Sequence, residues 1–400
     1  MHRVAGRQLS TSIKQAFDFS NTATAYRHKS IGELVRALAI LKTFSYDRVV
    51  DNSLWLMNVG QRVLGPRLFS AVVKPTIYKQ FVGGSTLEEM RESVAALKDA
   101  GVRPMIACSM EEEDEHTAGT NIVYDNNTAT ILKCLDMSTQ LNSVAPLMQL
   151  KMTGIVPADL VVRLSEVFRS CSKPEALVNV YANALEKGCS REGEEGLLVR
   201  KEDYLPVCHA LERLRKIGED AAQTIQRDVT VVNRLNVAFG AKLVRGAYMD
   251  WERRRAEAMK CEDPVCDSYD STNDNYNKLM CYLIENVKNT ELKVSFIIAS
   301  HNEDSICTAL KRLRELDIPV DHPSVNFGQL LGMYDQITYP LAQQGYNVYK
   351  SIPYGPLQDV LPYLARRASE NRAVLRGPLK ERQMLAKEIR NRLKLFLTLK

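Results

Sequence analysis

Several features are missing from this 400-residue sequence, and their absence excludes whole classes of protein. No apolar run reaches the 18 or so residues that a membrane-spanning helix needs. The nine cysteines include no C-x-x-C pair, and their scatter indicates reduced thiols in an intracellular compartment and not a disulfide framework. The net charge of +5 is mild, and no dense Lys/Arg block with interleaved aromatics occurs, so nucleic acid is not an expected partner.

Candidate metal ligands are also scarce. Cys261 and Cys266 are the closest pair of cysteines, and no nearby histidine completes a zinc set. The acidic run Glu111–Glu115 precedes His116, which leaves two interpretations open: a metal site, or the solvated loop that such charge runs usually form. We expect the loop, and no metal.

The N-terminus has a composition that allows two interpretations. It contains His2, Arg3, Arg7 and Lys14 with several Ser and Thr residues, and no acid precedes Asp18. This composition is typical of a mitochondrial transit peptide, and a polar N-terminal arm would look the same. Both interpretations stay open.

The character of the chain changes at Gly101. Before it, residues 30–100 read as mostly helical, because apolar residues recur at helical spacing. After it, short apolar runs alternate with long amphipathic segments, which is the signature of a parallel β/α fold. The helical repeat that starts this region comprises Ile31, Leu34, Val35, Leu38 and Leu41, and the predicted strands are 103–109, 148–153, 241–247, 294–300, 325–330 and 347–352.

A parallel sheet of this kind is either an open doubly wound sheet or a (β/α)8 barrel. The sequence contains no G-x-G at all, so the usual dinucleotide loop is missing. Barrel enzymes keep their chemistry at the carboxyl ends of the strands, where this chain has polar residues. These residues are Lys151, Arg245, His301, Gln329 and Ser351.

The barrel interpretation divides the chain into three parts. Residues 1–25 form a transit peptide or disordered arm, residues 26–100 an N-terminal helical region, and residues 101–400 the barrel domain with C-terminal helices. Between about 156 and 240 no strand is predicted, so the barrel is two strands short. The last segment, Glu381–Leu399, is basic and amphipathic, and it either touches a membrane surface or packs on its own domain.

One predicted helix carries the strongest candidate chemistry. Offsets of three, four and seven place Tyr363, Arg366, Arg367 and Glu370 on one face. Adjacent arginines on an inward face are costly unless they meet an anion, and a guanidinium suits a carboxylate in bidentate geometry. The alternative is a solvated face with ion pairs between successive turns, and spacing alone does not decide between the two.

The predicted helix Tyr363-Leu-Ala-Arg-Arg-Ala-Ser-Glu-Asn371 is accompanied by five further motif blocks. They are Met148-Gln-Leu-Lys151, Lys242-Leu-Val-Arg-Gly-Ala-Tyr248, Ala299-Ser-His-Asn302, Phe327-Gly-Gln-Leu-Leu-Gly332 and Val348-Tyr-Lys-Ser-Ile-Pro-Tyr-Gly355. In wording and order these blocks resemble those of the proline dehydrogenase family over about residues 70–390, and Tyr363–Asn371 has the form of that family's substrate-binding helix.

The resemblance implies a flavoenzyme with a (β/α)8 barrel that holds FAD noncovalently. It implies oxidation of a pyrrolidine carboxylate to a pyrroline carboxylate by hydride transfer to the flavin. Electrons would then pass to a membrane quinone, in a mitochondrial protein on the matrix side with peripheral contact to the inner membrane.

The resemblance also assigns roles to residues on the substrate side. Arg366 and Arg367, with Lys151, would clamp the substrate carboxylate. Tyr363 and Leu330 would enclose the ring against the flavin, and Glu370 would order the arginine pair. The residues expected at the flavin are Lys242, Val244, Arg245, Gly246, Ser300, His301 and Gln329.

Ser351 refines the expected substrate. Twelve residues before the helix tyrosine, proline-specific members of the family carry a second tyrosine that would crowd a ring hydroxyl. Serine leaves room and offers a hydrogen bond, so the chain resembles the hydroxyproline-oxidising branch. We therefore expect trans-4-hydroxy-L-proline as the substrate, with L-proline as the alternative. Ser351 can also be read as no more than a small turn residue.

The sequence departs from the family at one place. Two family blocks, D-A-E and N-T-x-Q, are expected between the strands of Lys151 and Lys242, and neither is present. The chain passes from Ala210–Ile217 almost directly into Asp220, as if some tens of residues were absent. A barrel without two consecutive strands has an opened core, so a non-catalytic variant that binds flavin poorly is the second hypothesis.

Overall fold

A computed structural model of the chain contains two compact units, one made of residues 1–105 and 235–400 and the other of residues 106–234. Most of the span from about 156 to 240 in which no strand is predicted, the acidic run Glu111–Glu115 and residues 1–16 lie outside the described part. The structure describes residues 17–109, 121–142, 146–157, 160–161, 163–164, 207, 210, 239–246, 249–260, 262–288, 294–370 and 379–398.

The N-terminal region is helical, as its periodicity predicts. A π-helical turn at Lys74–Tyr78 joins the fourth and fifth helices. The helices are α1 (Thr22–Tyr26), α2 (Ile31–Thr43), α3 (Asp47–Asp51), α4 (Ser53–Val73), α5 (Lys79–Phe81) and α6 (Leu87–Asp99).

Helix α2 begins at a capping box and buries a narrower stripe than the sequence predicts. Ser30 accepts from the Glu33 backbone N–H, and the Glu33 carboxylate accepts from Ser30 in return. Leu34 and Leu41 are buried, but Ile31 and Val35 are exposed. The predicted face was therefore too wide, because the buried stripe is completed by small Ala37 and by Ile40.

The described part of the expected N-terminal arm is packed. Phe17 lies in a core cluster with its ring 5.9 Å from that of Tyr346. Ala25 and Tyr26 are fully buried in a second cluster with residues of α2. Residues 17–25 of the expected arm are therefore not disordered, and residues 1–16 lie outside the described part.

Within the described residues the sheet has six strands: β1 (Arg103–Cys108), β2 (Leu147–Gln149), β3 (Phe239–Val244), β4 (Val294–Ala299), β5 (Val325–Leu330) and β6 (Val348–Tyr354). The order of neighbours is β2-β1-β6-β5-β4-β3, and β3 to β6 pair in parallel. In a β/α barrel the first strand lies next to the last one, as β1 lies next to β6 here. The sheet is therefore an incomplete barrel whose described strands end at β2 and β3, on either side of the predicted missing pair.

Helices follow the strands, as in β/α units. The described helices of this part are α8 (Met249–Met259), α9 (Tyr269–Val287), α10 (Glu303–Glu315), α11 (Asp335–Gln343), α12 (Leu357–Glu370) and α13 (Leu379–Thr398), and the second unit contributes α7 (Asn121–Leu141). Buried apolar side chains of α9, α10 and α11 form the main core with β4, β5 and β6.

Helix α13 has a packed first half and an exposed end, so it partly fits the expectation that it packs on its own domain. Its first half packs on its own unit, where Met384 and Leu385 are buried against residues of α1 and α2. Its last turns leave Leu393, Phe396 and Leu397 exposed. None of the helices in the described ranges combines the length and the apolar character that crossing a bilayer requires.

Candidate active site

The carboxyl ends of four parallel strands meet at one edge of the sheet. Val244 pairs with Ala299, Ala299 with Gly328, and Gly328 with Tyr349. The residues just beyond these pairs therefore lie side by side. They include five of the predicted site residues: Arg245, Ser300, His301, Gln329 and Leu330.

The buried side chain of Gln329 links neighbouring elements at this edge by hydrogen bonds. Its side-chain amide is buried and donates to the Ser300 carbonyl at 3.3 Å, while its Oε1 accepts from Thr338 at 3.1 Å. Ser300 is also buried, and its Oγ accepts the Asn302 backbone N–H at 3.1 Å. Gln329 thus holds β4 to β5 at the point where both strands end.

His301 is fixed as a neutral ring. Its Nε2 accepts the backbone N–H of Leu330 at 3.2 Å, so the imidazole proton lies on Nδ1. Its ring stacks on Tyr334 with centroids 4.3 Å apart and planes 7° apart. Burial, aided by the positive charges of Lys350 and Arg245, lowers the pKa of His301 to about 3. His301 therefore offers a hydrogen-bond donor at neutral pH without adding a charge.

Arg245 supplies the positive charge of this edge. Its Nη1 donates to the Asn273 side chain at 2.9 Å, and its guanidinium lies 5.7 Å from the centre of the Tyr269 ring. Gly246 follows with φ +66°, a conformation that disfavours other residues. Lys242 and Val244 on β3 are both exposed. Arg245 thus places a cation near His301, and Val244 adds exposed apolar surface on the neighbouring strand.

A buried cluster of charges below this edge was not predicted from the sequence. Lys350 on β6 is fully buried and pairs with Asp335 at 3.0 Å, and Lys29 pairs with the same carboxylate at 2.9 Å. The Lys350 ammonium also donates to the carbonyls of Leu330, at 3.0 Å, and Met333. The only signal was a lysine inside an otherwise uncharged strand.

Opposing effects set the protonation of this cluster. Burial lowers the pKa of Lys350 although Asp335 lies beside it. For Asp335, burial alone would raise the pKa, but Lys29 and Lys350 together lower it. The 3.0 Å separation of the ammonium and the carboxylate marks the two groups as an ion pair inside the core.

Glu381 adds a titrating group to the same region. It accepts the Tyr334 backbone N–H at 2.7 Å, and burial with the nearby Asp335 carboxylate raises its pKa to about 8. Between the ordinary value of 4.5 and about 8, the folded chain keeps a proton that the unfolded chain has released. This group therefore makes stability fall as pH rises through that window.

Ser351 lies within β6 and not at its end. The strand continues to Tyr354, three residues beyond the serine, so the expectation of a strand-terminal or turn position was wrong. Ser351 is buried, it pairs in register with Leu330, and its carbonyl accepts the Leu331 N–H at 3.0 Å. Its position beside Leu330 places it next to the edge that carries His301.

Tyr363, Arg366 and Arg367 form a second group, on α12. The chain enters this helix from β6 through Gly355, which has φ +143°. All three side chains are half-buried, and the Arg367 guanidinium lies 5.6 Å from the centre of the Tyr363 ring. The backbone of Glu370 ends the helix, and its side chain lies outside the described residues.

Lys151 belongs to the second unit. Strand β2 ends at Gln149, earlier than predicted, and Lys151 follows it as an exposed residue. The carboxylate-binding role that the resemblance implies for Lys151 stays a prediction.

The hydroxyproline dehydrogenase of Bos taurus is 37% identical to this chain, over 92% of each sequence. That alignment has 426 positions, whereas 92% of this chain is about 368 residues, so about 58 positions have no counterpart here. This agrees with the prediction that some tens of residues found in the family are absent.

More distant relatives agree with the same fold. Human "Proline dehydrogenase 1, mitochondrial" is 27% identical over 95% of this chain and 90% of its own length. The crystal structure of proline utilization A from Bdellovibrio bacteriovorus superposes with a TM-score of 0.55 at 16% identity, covering 96% of this chain and 43% of that longer protein. The family model for proline dehydrogenase matches residues 218–377, from the predicted junction through α12. The chain belongs to the proline dehydrogenase family.

Proposed function

We propose that this chain oxidises trans-4-hydroxy-L-proline to the corresponding pyrroline carboxylate, with FAD as the cofactor. The observation that carries the proposal is its 37% identity to a hydroxyproline dehydrogenase along 92% of both sequences. L-Proline is the alternative substrate, because proline dehydrogenases are relatives as well.

The residues at the sheet edge fit a flat, anionic cofactor. Val244 and Leu330 expose apolar side chains there, and Arg245 offers a guanidinium that suits a phosphate. The neutral His301 adds an N–H donor. When bound, FAD would accept the hydride that leaves the substrate ring, while the protein positions the ring and stabilises its charges.

The arginines of α12 would bind the substrate carboxylate. Arg367 is held over the Tyr363 ring, which restricts the guanidinium before substrate arrives. A half-buried guanidinium loses little solvation when it meets a carboxylate, and the bidentate geometry fixes the ring's orientation. Tyr363 and Leu330 would then contact the ring itself.

Ser351 supports the choice of hydroxyproline. It is small, buried and adjacent to Leu330 across the β5–β6 ladder. A buried hydroxyl that can pair with the substrate hydroxyl discriminates against a substrate that lacks one. A tyrosine at this position would fill the space that the substrate hydroxyl needs.

The cellular setting belongs to the proposal as well. The name of the human proline dehydrogenase 1 includes the word mitochondrial, and we propose the same organelle for this chain. A membrane quinone as electron acceptor, reached from the matrix side of the inner membrane, completes the proposal.

The test compares kcat/KM for trans-4-hydroxy-L-proline and L-proline in the wild type, Ser351→Tyr and Ser351→Ala. Tyrosine should shift the preference toward proline by at least about tenfold, which is the loss of one packed and hydrogen-bonded group. Alanine keeps the space but removes the hydroxyl, so it should weaken discrimination without reversing it. An unchanged ratio in both variants would refute the role of Ser351.

The opening of the sheet favours a second candidate, a chain without catalytic activity. Among the described strands, β3 has a partner on one side only, and β3 carries residues expected at the flavin. The absorbance spectrum of the purified chain separates the candidates. Flavin bands in the purified chain that rise toward 1:1 stoichiometry when FAD is added support the enzyme, and a colourless chain that stays colourless in excess FAD supports the inactive variant.

A further inference from the structure

The first turn of α13 contacts both chain segments that leave the sheet beside His301. One segment is α10, which begins two residues after His301, and the other is the loop between β5 and α11, the β5–α11 loop (residues 331–334). Lys380 donates to the Glu303 carboxylate of α10 at 2.6 Å. The adjacent Glu381 accepts the backbone N–H of the last loop residue at 2.7 Å. Two consecutive residues of one helix therefore hold the segments on either side of the imidazole.

The peptide bond between Met333 and Tyr334 is bound at both of its polar atoms. Its carbonyl accepts from the buried Lys350 ammonium, and its N–H donates to the buried Glu381 side chain. Tyr334 has φ +53° and ψ +40°, a left-handed conformation that costs free energy in a residue with a side chain. Hydrogen bonds to buried ionisable groups offset that cost. Tyr334 therefore keeps this conformation through partners on β6 and α13.

The conformation of Tyr334 determines where its ring lies. The ring stacks on His301 with centroids 4.3 Å apart and planes 7° apart. The imidazole is also held by the Leu330 N–H, which donates to its Nε2. Such a bond lets the ring tilt about the N–H···N axis, whereas a stacked aromatic neighbour fixes the plane of the ring. The two contacts together fix the direction in which the Nδ1–H of His301 points.

We propose that Tyr334 and Glu381 are positioning residues for His301, and that they hold its Nδ1–H ready to donate to the flavin. The role toward the flavin rests on the proposed function, whereas the positioning of the imidazole does not. Lys380 contributes less than Glu381, because its pair with Glu303 has side chains 45% and 29% exposed and surface ion pairs contribute little.

The ring protons of His301 report the stack directly. The chain has six histidines, so NMR of the full chain with labelled histidine gives few signals, and His301→Gln identifies the one of interest. The ring current of Tyr334 should shift the His301 protons upfield in the wild type. Tyr334→Leu should remove that shift, and Tyr334→Phe should retain it. Glu381→Met should reduce it, whereas Glu381→Gln, which keeps an acceptor for the loop N–H, should restore it.

Titration of the same variants with FAD measures the consequence for the cofactor. Tyr334→Leu and Glu381→Met should raise the Kd of FAD by at least about tenfold, which corresponds to the loss of one hydrogen bond. The two conservative variants should bind FAD nearly as the wild type does. At saturating FAD, the KM for hydroxyproline should change little, because neither residue is placed at the substrate. Ile389→Ala is a matched control, since it removes packing from α13 two turns beyond Glu381.

The outcomes separate this proposal from the proposed function. If the wild type binds no FAD, the proposed function fails, and the histidine signals still decide whether Glu381 and Tyr334 position the ring. Unchanged His301 signals in Glu381→Met would overturn the role of α13. Losses in Ile389→Ala as large as those in Glu381→Met would assign the effect to general destabilisation. A KM that rises while the Kd of FAD stays constant would assign the β5–α11 loop to the substrate side instead.

Discussion

Replacing Lys350 with methionine is the sharpest test of the buried charge cluster. Lys350 is fully buried on β6, pairs with Asp335 at 3.0 Å, and donates to the carbonyls of Leu330 and Met333. Methionine has a similar length and keeps the packing, so its effect isolates the ammonium. The change leaves Asp335 buried with Lys29 as its remaining cationic partner.

The expected loss of unfolding free energy depends on the buried groups that Lys350→Met leaves without their partner. Removing one partner of a buried ion pair typically costs about 3–5 kcal/mol, because the other charge remains desolvated. Lys29 still neutralises Asp335 at 2.9 Å, which places the loss near the lower limit. Two carbonyls also lose their donor, so we expect Lys350→Met to reduce the free energy of unfolding by about 3 kcal/mol.

A double-mutant cycle separates the pair from its surroundings. Urea unfolding, followed by circular dichroism at pH 7, should be measured for Lys350→Met, Asp335→Asn and the double variant. Because the double variant buries no orphaned charge between these two residues, it should be more stable than the sum of the single losses predicts, by more than about 1 kcal/mol. A single loss below about 0.5 kcal/mol, or strict additivity, would refute the view that these charges hold the segment between β5 and α11.

Other positions give further predictions. Glu381→Gln keeps an acceptor for the Tyr334 N–H and should remove the loss of about 2 kcal/mol in unfolding free energy that the wild type shows between pH 6.5 and 8. This window lies above the pH at which His301 titrates in the unfolded chain, an effect of opposite sign. An unchanged pH dependence in urea unfolding would show that Glu381 does not cause the loss. Gly332→Ala should destabilise the fold by about 2 kcal/mol or more, since φ is +80° and the new Cβ would meet the Gln80 carbonyl, and wild-type thermal stability would contradict this. Ser30→Ala should lower the free energy of unfolding by about 1 kcal/mol through loss of the α2 cap. Asn52→Ala should cost less, because the Asn52 side chain makes no capping hydrogen bond at the start of α4. Arg367→Met should lower kcat/KM for hydroxyproline by at least about 100-fold with little effect on unfolding, and near-normal kinetics would refute the carboxylate clamp.

The strands and the edge they form were predictable because both leave local signals. Each apolar run is bounded by polar residues, and five of the six strands lie within a few residues of the prediction. Ser300, His301 and Gln329 follow or end their strands, so the parallel order alone brings them together. Motif resemblance added the roles, which periodicity cannot supply.

The buried charges and the depth of Ser351 were not predictable from local patterns. Lys350, Asp335 and Glu381 are separated in sequence, and each is of a residue type that is usually found on the protein surface. Their proximity depends on how α11 packs against β6 and on how α13 brings Glu381 to the Tyr334 backbone, which are tertiary properties. Ser351 was expected at the end of a strand because the predicted strand stopped at residue 352, but β6 continues to Tyr354.

The incomplete barrel ends at β3, so we expect it to weaken flavin binding more than substrate binding. Ser351 and Leu330 lie on β6 and β5, which pair with each other, whereas Lys242 and Val244 lie exposed on β3, the last described strand of the sheet. We therefore expect flavin retention, and not substrate recognition, to be the weak step. The purified chain should contain less than one equivalent of flavin, and added FAD should raise kcat in proportion to occupancy while KM for hydroxyproline stays constant. A KM that falls as FAD is added would show instead that the opening also disturbs the substrate side.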